Sequence, residues 1–424
     1  MNKSSSTKVI FSSVLGNALE FYDFTLCGVF ISTLSSVFFP KNIESIAFLG
    51  ALFAFSAAFW TRPLGAILFG YLGDKYGRKN VLSVTILLMG IPTVIIGLLP
   101  GYNQIGIAAP ILLVLLRMVQ GLCAGGEYNG SAIFSLEHSK KRPGLTSGLI
   151  SSSCVLGAIT GVVVGYFLAS YPPELGYWRY PFLCGGLISL VGLYIRKKTG
   201  ETSDFISSTK QKDDSSLNNV YKELCVSILA GAFNGVITYT LFGFLTVYLQ
   251  KYVGMSLSQG IFANIFGMLS FMISCVFFGS LSDRYPIKKY MYFPGVAALF
   301  LLPLVFYLFQ MKTMDSLIIG QVFLGVLVGS FVGPSHAFFQ VLFPVRKRFK
   351  GIAIGFSSGM ALTGGTTAII LSLLLEKYDD LYIPVYYGVF WATIWLVGLF
   401  LFNRYDACKQ GDVTQHLQYQ QTAA

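Results

Sequence analysis

Two charged residues, Arg117 and Glu127, lie inside one apolar stretch of membrane length, PILLVLLRMVQGLCAGGEYNGSAIFSL. Each charge near the centre of a bilayer costs about 2.5–3.5 kcal/mol on insertion scales, so such residues face a cavity, pair with one another or move an ion. Gln120, Ala124 and Ser131 share their helix face, because the five positions follow alternating steps of three and four residues. The sequence therefore predicts a polar stripe on one membrane helix, suited to ion pairing or ion movement.

More ionisable residues lie in the early apolar stretches than in the late ones. Glu20 and Asp23 share a helix face in the first stretch, and Arg62 lies in the second. The interiors of the last six stretches contain no Asp, Glu, Lys or Arg. His336 is the one unusual titratable residue in them. The ionisable machinery is therefore expected in the first half of the chain, with a mostly uncharged surface in the second.

The composition is that of a membrane protein. Of 424 residues, 54% are hydrophobic and 12% are charged, whereas soluble proteins carry about 25% charged residues. Twelve apolar runs of membrane length are predicted. They cover about 10–39, 46–72, 80–99, 105–136, 145–169, 178–195, 223–250, 258–281, 290–310, 316–343, 351–375 and 383–403.

The basic excess follows a membrane topology. With a cytoplasmic N-terminus, the inside segments hold 23 Lys and Arg residues and the outside loops hold 5. This bias predicts that both termini are cytoplasmic. The formal net charge of +11 is therefore explained without a nucleic-acid partner, and none is expected.

The chain divides into two halves that repeat a motif. GYLGDKYGRK, which begins at Gly70, follows the second predicted span, and GSLSDRYPIKK, which begins at Gly279, follows the eighth. Such a repeat indicates a two-bundle transporter with a site at the bundle interface. The predicted parts are an N-terminal bundle, a cytoplasmic linker, a C-terminal bundle and a short cytoplasmic tail, at 1–196, 197–222, 223–404 and 405–424.

The repeated loops are predicted to form a gate that closes the cytoplasmic side in one state and opens in another. Asp74 is expected to accept hydrogen bonds from a neighbouring helix N-terminus, or to pair with Arg78 or Arg142. The second copy has Pro286 and Ile287 where the first has glycine and arginine, so its part of the gate is expected to be weaker. The predicted gate residues are Gly70, Gly73, Asp74, Gly77, Arg78, Lys79, Glu137, Arg142, Asp283 and Arg284.

These motifs resemble the major facilitator superfamily. GYLGDKYGRK is similar to its loop 2–3 signature, and RMVQGLCAGG is similar to its span 4 signature, R-x-x-Q-G. Within the superfamily the chain resembles the metabolite:proton symporters, which include proline/betaine, α-ketoglutarate, citrate and shikimate carriers. The stretches that carry this resemblance are GNALEFYDFTLCG, RMVQGLCAGGEYNGSAIFSLE and YWRYPFLCGGLISLVGLYIRKKTGET.

The resemblance covers essentially the whole chain and implies a fold and an activity. The fold is an all-α membrane protein with twelve transmembrane helices in two pseudo-symmetric six-helix bundles. The implied activity is proton-driven uptake across a bacterial inner membrane, with coupling by charged residues of spans 1 and 4. We expect a small-molecule substrate, protons and the lipid bilayer as partners, a monomer, and no metal or other cofactor, since the proton gradient drives transport.

Three hypotheses remain open for the buried charges. In the first, Asp23 pairs with Arg117 and takes a proton when the arginine turns to the substrate. In the second, Glu127 carries the proton, with Glu20 as a further candidate in the same coupling group. In the third, Asp23, Arg117 and Glu127 only brace the bundle.

The remaining candidates concern the substrate. His336 is either a packing histidine or a substrate contact. An aromatic cavity would suit a quaternary ammonium ion, and Arg117 could hold the carboxylate of an osmolyte or of an organic acid. The predicted cavity residues are Tyr22, Arg117, Gln120, Asn234, Tyr239, His336, Gln340 and Trp391.

Other functions fit the sequence less well. A proton-coupled exporter or an uncoupled facilitator would share the fold. Span 5 reads GAITGVVVGY and lacks the proline and the final glycine typical of antiporters, which favours import, and the buried charges argue against a facilitator. A receptor would need an output domain. An enzyme is not expected, because the chain has no Walker loop, metal cluster or nucleophile motif.

Overall fold

The structure is a computed structural model that describes residues 3–40, 44–169, 171–208 and 220–422. All regular secondary structure in these residues is helical. Helices follow from the long apolar runs, because a segment in lipid must satisfy its backbone hydrogen bonds within itself.

The helices are numbered α1 to α17 in chain order. Two π-helical segments, Thr240–Phe244 and Leu249–Val253, flank α11. The helix bounds are α1 Lys3–Val29, α2 Ile31–Phe38, α3 Glu44–Tyr76, α4 Arg78–Leu98, α5 Tyr102–Ile105, α6 Ala108–His138, α7 Pro143–Ala169, α8 Arg179–Lys197, α9 Ser203–Ser208, α10 Tyr221–Tyr239, α11 Leu245–Tyr248, α12 Leu257–Ser282, α13 Ile287–Tyr290, α14 Tyr292–Gln310, α15 Met314–Leu342, α16 Val345–Tyr378 and α17 Ile383–Thr422.

Ten of the described helical segments are long and apolar enough to cross a membrane, and a bent pair brings the number to 11. The bent pair is Thr7–Val29 with Ile31–Phe38, which meet at an angle of 65°. The sixth predicted span corresponds to α8, which is not among these candidates. Its charged ends, Arg179 and Arg196 with Lys197, lower its mean hydropathy.

Small residues bring α3 and α6 into close contact. Gly121 faces the carbonyl of Ala58, and Gly125 faces the carbonyl of Arg62, so that a Cβ atom at either glycine would overlap the α3 backbone. Small residues at helix contacts are typical of membrane bundles. This approach places the charged residues of α3 and α6 beside those of α1.

The two halves meet along α7 and α12 and along α3 and α16. Gly144 and Gly148 of α7 pack against Gly279 and Cys275 of α12. The end of the molecule that carries the repeated loops, residues 70–79 and 279–289, is called the motif end below.

The predicted domain boundaries are only partly covered by the structure. The first bundle ends with α8 at Lys197, and α9 lies in the predicted linker, of which residues 209–219 are outside the described residues. The last helix continues without a break to Thr422, through most of the predicted tail. The boundaries themselves stay a prediction.

Candidate functional site

Asp23 of α1 and Arg117 of α6 form a buried ion pair. Asp23 Oδ2 lies 3.0 Å from Arg117 Nη1, and Asp23 Oδ1 accepts a hydrogen bond of 3.0 Å from Thr93 of α4. Gln120 closes the network: its Oε1 accepts from Arg117 at 2.8 Å and its Nε2 donates to the Thr93 hydroxyl at 2.9 Å. Both oxygens of Asp23 therefore have a partner, and three helices are joined through neutralised charges.

A second pair lies one helical turn along α1. Glu20 Oε1 lies 3.0 Å from Arg62 Nη2 of α3. The Arg62 guanidinium lies over the ring of Phe24 at 4.1 Å and that of Phe59 at 5.2 Å. The Arg117 guanidinium lies 4.8 Å from the same Phe24 ring. One aromatic ring thus contacts both arginines, a favourable cation–π arrangement.

Glu127 of α6 is paired with Arg196 of α8, a residue that the sequence analysis did not select. Both side chains are almost fully buried, and each Glu127 oxygen faces a nitrogen of Arg196. Glu127 also accepts a hydrogen bond of 2.7 Å from Thr85, and Arg196 donates to the carbonyl of Leu82. Glu127 is therefore held by a two-point contact that resists exchange.

A larger network closes the motif end between the two halves. Arg78 lies 3.1 Å from Asp74 and 3.6 Å from Glu137, all in the first half. From the second half, Arg348 pairs with Glu137 at 2.9 Å, and the carbonyl of Val345 accepts a hydrogen bond of 2.6 Å from Arg78. Glu137 is 0% exposed and shares its charge between two arginines.

The two motif copies each contact the opposite half through an aspartate. Asp74 accepts a hydrogen bond of 2.9 Å from the backbone N–H of Lys350, near the start of α16. Asp283 accepts from the N–H groups of Gly144 at 2.6 Å and Leu145 at 3.0 Å, at the start of α7. Asp283 thus binds the N-terminus of α7, where backbone donors favour an anion, whereas Asp74 binds the N–H of the sixth residue of α16.

The glycines of the first motif copy serve two different structural requirements, close helix packing and a turn with positive φ. Gly70 packs against Ala353, and Gly73 packs against the ring of Phe349, so α3 approaches α16 closely. Gly77 has φ of 97°, in the region that favours glycine, at the corner between α3 and α4.

Other predicted gate residues are placed differently. Arg142 and Arg284 have exposed side chains, and Asp74 pairs with Arg78 rather than with Arg142, because Arg142 lies outside the buried network. The backbone N–H of Lys79 donates to Glu201 at 3.1 Å, and its Nζ donates to the carbonyl of Lys197 at 3.1 Å. The segment after α8 is thereby attached to the start of α4.

Comparisons with known proteins decide the family. A family model, Major Facilitator Superfamily, matches residues 14–370. The chain belongs to the Major Facilitator Superfamily. It is a membrane transport protein with several membrane-spanning helices, and the superfamily is one of transporters rather than of enzymes.

Two similar proteins have names that state what they transport. The chain is 34% identical to the glycine betaine/proline/ectoine/pipecolic acid transporter OusA of Dickeya dadantii, over 93% of this chain and 83% of that protein. It is 32% identical to the proline/betaine transporter of Escherichia coli, over 92% and 82% respectively. A solved proton:xylose symporter shares the fold with a TM-score of 0.75 at 15% identity, covering 95% of this chain and 96% of that one.

His336 of this transporter faces the other half of the molecule. Its ring lies 4.8 Å from that of Tyr128 on α6 and 6.5 Å from those of Phe339 and Phe356. Neither ring nitrogen has a hydrogen-bond partner in the described residues, while its backbone N–H donates to Ser147 of α7 at 3.2 Å. The histidine is therefore a buried polar group at the interface of the halves, as a substrate contact would be.

The remaining predicted cavity residues divide between the halves: four lie in the second half and Tyr22 lies in the first. Gln340 Oε1 and Trp391 Nε1 are buried without a hydrogen-bond partner in the described residues, and Tyr239 packs against Gly364. Asn234 contacts the sulfur of Met360. Tyr22, by contrast, turns to α8, where its hydroxyl donates to the carbonyl of Pro181 at 3.0 Å, so it belongs to the packing of the first half.

Four charged residues in these contacts were absent from the sequence-based site. Arg62 was noticed as a buried charge but was given no role. Arg196, Glu201 and Arg348 were counted with loop segments, where the bias of charge explained the basic ones. No signal in the sequence distinguishes Arg196 from the other basic residues near span ends, because its burial beside Glu127 depends on the packing of α8 against α6.

Proposed function

We propose that this chain is a proton-coupled symporter that imports a small zwitterionic osmolyte of the proline and betaine type. It works as a monomer and without a cofactor, driven by the proton gradient. The observation that carries the proposal is the pairing of two α1 carboxylates, Glu20 and Asp23, each with an arginine inside the membrane region.

These pairs suggest how proton and substrate are coupled. A substrate carboxylate competes with a protein carboxylate for the same guanidinium, because arginine binds either in the same geometry. A protein carboxylate that loses its arginine is a buried, uncompensated charge, and taking a proton removes that cost. Substrate binding therefore promotes proton binding. Glu127, held by Arg196 at two points, is the third carboxylate of this coupling group.

The substrate class is supported by the relatives. Their printed names include glycine betaine, proline, ectoine and pipecolic acid, each of which carries one carboxylate and one cationic nitrogen centre. A zwitterion brings no net charge into a site whose own charges already balance. A dicarboxylate or tricarboxylate would bring a negative excess that the paired arginines do not offset.

The motif-end network supports alternating access. Contacts of Asp74, Glu137 and Asp283 across the halves hold this end closed, and they must break when the site opens to that side. The charge bias of the loops favours a cytoplasmic location for the motif end and for both termini. We propose the bacterial inner membrane as the location.

The test is uptake into proteoliposomes that contain the purified protein. Labelled glycine betaine, proline, citrate and α-ketoglutarate are offered with and without an inward proton gradient, and currents are recorded on substrate addition. One proton carried with a zwitterion moves one net charge, which at 100 mV supplies about 2.3 kcal/mol, or roughly 50-fold accumulation.

We expect accumulation of a zwitterion with an inward positive current. Equilibration without accumulation would indicate an uncoupled facilitator, and proton-driven loss from preloaded vesicles would indicate an exporter. Accumulation of an organic acid alone would overturn the substrate class.

A further inference from the structure

The two carboxylates of α1 that pair with arginines differ in how completely they are hydrogen-bonded. Asp23 has a partner on each oxygen, and Arg117 is 1% exposed and enclosed by Asp23, Gln120 and aromatic rings. Exchange at this pair would break several hydrogen bonds at once. Because both of its oxygens are bonded, the Asp23 carboxylate is fixed in position rather than poised for release, although Arg117 Nε and Nη2 have no hydrogen-bond partner in the described residues.

Glu20 is held by a single contact. Its Oε1 meets Arg62, whereas its Oε2 is buried and has no hydrogen-bond partner in the described residues. Arg62 Nε likewise has no hydrogen-bond partner there. The Arg62 side chain is 25% exposed, although its Nε is buried, while the Glu20 side chain is 1% exposed.

We propose that Arg62 is the site for the substrate carboxylate and that Glu20 is the residue that takes the proton. This assignment rests on the proposed function and selects one pair within it. The substrate carboxylate replaces Glu20 at Arg62, using the fork of the guanidinium that one glutamate oxygen leaves partly free. Asp23 and Arg117 are positioning residues that act through Phe24.

The proton balance of the step is simple. A proton from the outer aqueous phase adds to a carboxylate oxygen of Glu20 and forms an O–H bond, so the released side chain is neutral. The Arg62 charge is then balanced by the substrate carboxylate, and the complex gains one positive charge, that of the proton. Release of the substrate on the other side allows Glu20 to lose the proton and return to Arg62.

The surroundings of Glu20 favour this exchange. Arg62 on α3 stabilises its charged form, whereas Asp23 on the same helix and Glu127 on α6 repel it. Tyr128 on α6 and Cys154 on α7 lie within electrostatic range of Glu20 and are uncharged in their ordinary forms. Once Arg62 is occupied by a substrate, Glu20 has no cationic partner of its own among these groups, and protonation removes the cost of its buried charge.

The aromatic rings extend the site toward the substrate cation. Phe24 and Phe59 already contact the Arg62 guanidinium and lie edge to face with ring centroids 5.1 Å apart. A substrate whose ammonium group is next to its carboxylate reaches these rings when the carboxylate lies on Arg62. This fits a compact zwitterion better than a long or branched anion.

The test separates exchange of substrate from its proton-driven accumulation. Proteoliposomes with the wild type, Glu20→Gln or Asp23→Asn are assayed for exchange of labelled against unlabelled glycine betaine, and for accumulation under an inward proton gradient. Glu376→Gln, which removes an exposed carboxylate paired with Lys251, is the matched control for a change of acid to amide.

For Glu20→Gln we expect exchange within about threefold of the wild type and loss of accumulation by about tenfold or more, because an amide cannot carry the proton. Asp23→Asn is expected to lower both activities by similar factors, since it disturbs positions. Retained accumulation in Glu20→Gln, together with selective loss in Asp23→Asn, would overturn the assignment.

Arg62→Gln provides an independent readout. Its KM for exchange is expected to rise by about tenfold or more, as follows from loss of a charged hydrogen-bond partner. An unchanged KM would overturn the role of Arg62, even if Glu20→Gln failed to fold. A wild type that shows no proton-coupled uptake of any zwitterion would instead contradict the proposed function itself.

Discussion

The two halves of the molecule follow the same helix plan but bury different groups. Besides the pairs of Arg78 at the motif end, the first half has carboxylate–arginine pairs at Glu20, Asp23 and Glu127. In the second half, His336 and Arg348 are the buried acidic or basic side chains among the described residues. Its core is instead apolar and aromatic, with members such as Phe233, Phe331 and Trp395.

The difference shows that a pseudo-symmetric transporter can concentrate its buried ion pairs in one half. Each buried charge must be paired to be tolerated in a membrane, and pairing requires several helices at the right distance. In this chain α1, α3, α4, α6 and α8 provide those partners. The second half presents an apolar core, and it helps to close the motif end through the Lys350 N–H, the Val345 carbonyl and the Arg348 side chain.

The largest effect is expected where the halves share one carboxylate. Glu137→Gln leaves Arg78 and Arg348 without the charge that lies between them, and loss of one member of a buried ion pair costs about 3–5 kcal/mol. The free energy of unfolding in detergent should fall by that amount. Glu376→Gln, at the exposed pair with Lys251, should change it by less than about 1 kcal/mol.

An equal and small effect for both variants would contradict the buried network. It would mean that the motif end is open to water in solution, so that Arg78 and Arg348 are solvated rather than paired.

A smaller effect distinguishes the two motif copies. Asp74→Asn removes the charge that pairs with Arg78 and weakens the hydrogen bond from Lys350 of α16, so it should cost about 2 kcal/mol. Asp283→Asn weakens only the contact with the start of α7 and should cost about 1 kcal/mol. Chemical denaturation of the two variants measures the difference, and an equal cost would show that Arg78 adds nothing to the first copy.

Much of this arrangement is predictable from spacing. The stripes on spans 1 and 4 place Asp23 and Arg117 on helix faces that can meet, and the two are in contact. For Asp74 the sequence predicts a backbone donor from a neighbouring helix N-terminus or a pair with Arg78; Asp74 pairs with Arg78, and its backbone donor is Lys350, the sixth residue of α16. The first conclusion needs helical periodicity together with the family resemblance, which implies that spans 1 and 4 line one cavity, and the second needs the preference of anions for backbone donors.

Other features depend on the three-dimensional packing. Arg196 and Arg348 are basic residues near span ends, where the topology already accounts for positive charge, so the sequence does not show that they are buried. The sequence predicts one span through Val29, because no proline there signals a break. The structure instead bends by 65° after this residue. Tyr22 shares its helix with Asp23 but faces α8, since a helix turns about 100° per residue.

The most direct test of the central claim compares proton coupling in variants of each half. Accumulation of glycine betaine under an inward proton gradient, with protons counted per substrate, is measured in the wild type, in a Glu20→Gln and Asp23→Asn double variant, and in His336→Gln. We predict that His336→Gln keeps the wild-type ratio of protons to substrate, whatever its KM, and that the double variant loses accumulation. Loss of the proton in His336→Gln, with coupling retained in the double variant, would contradict the assignment of proton coupling to the first half.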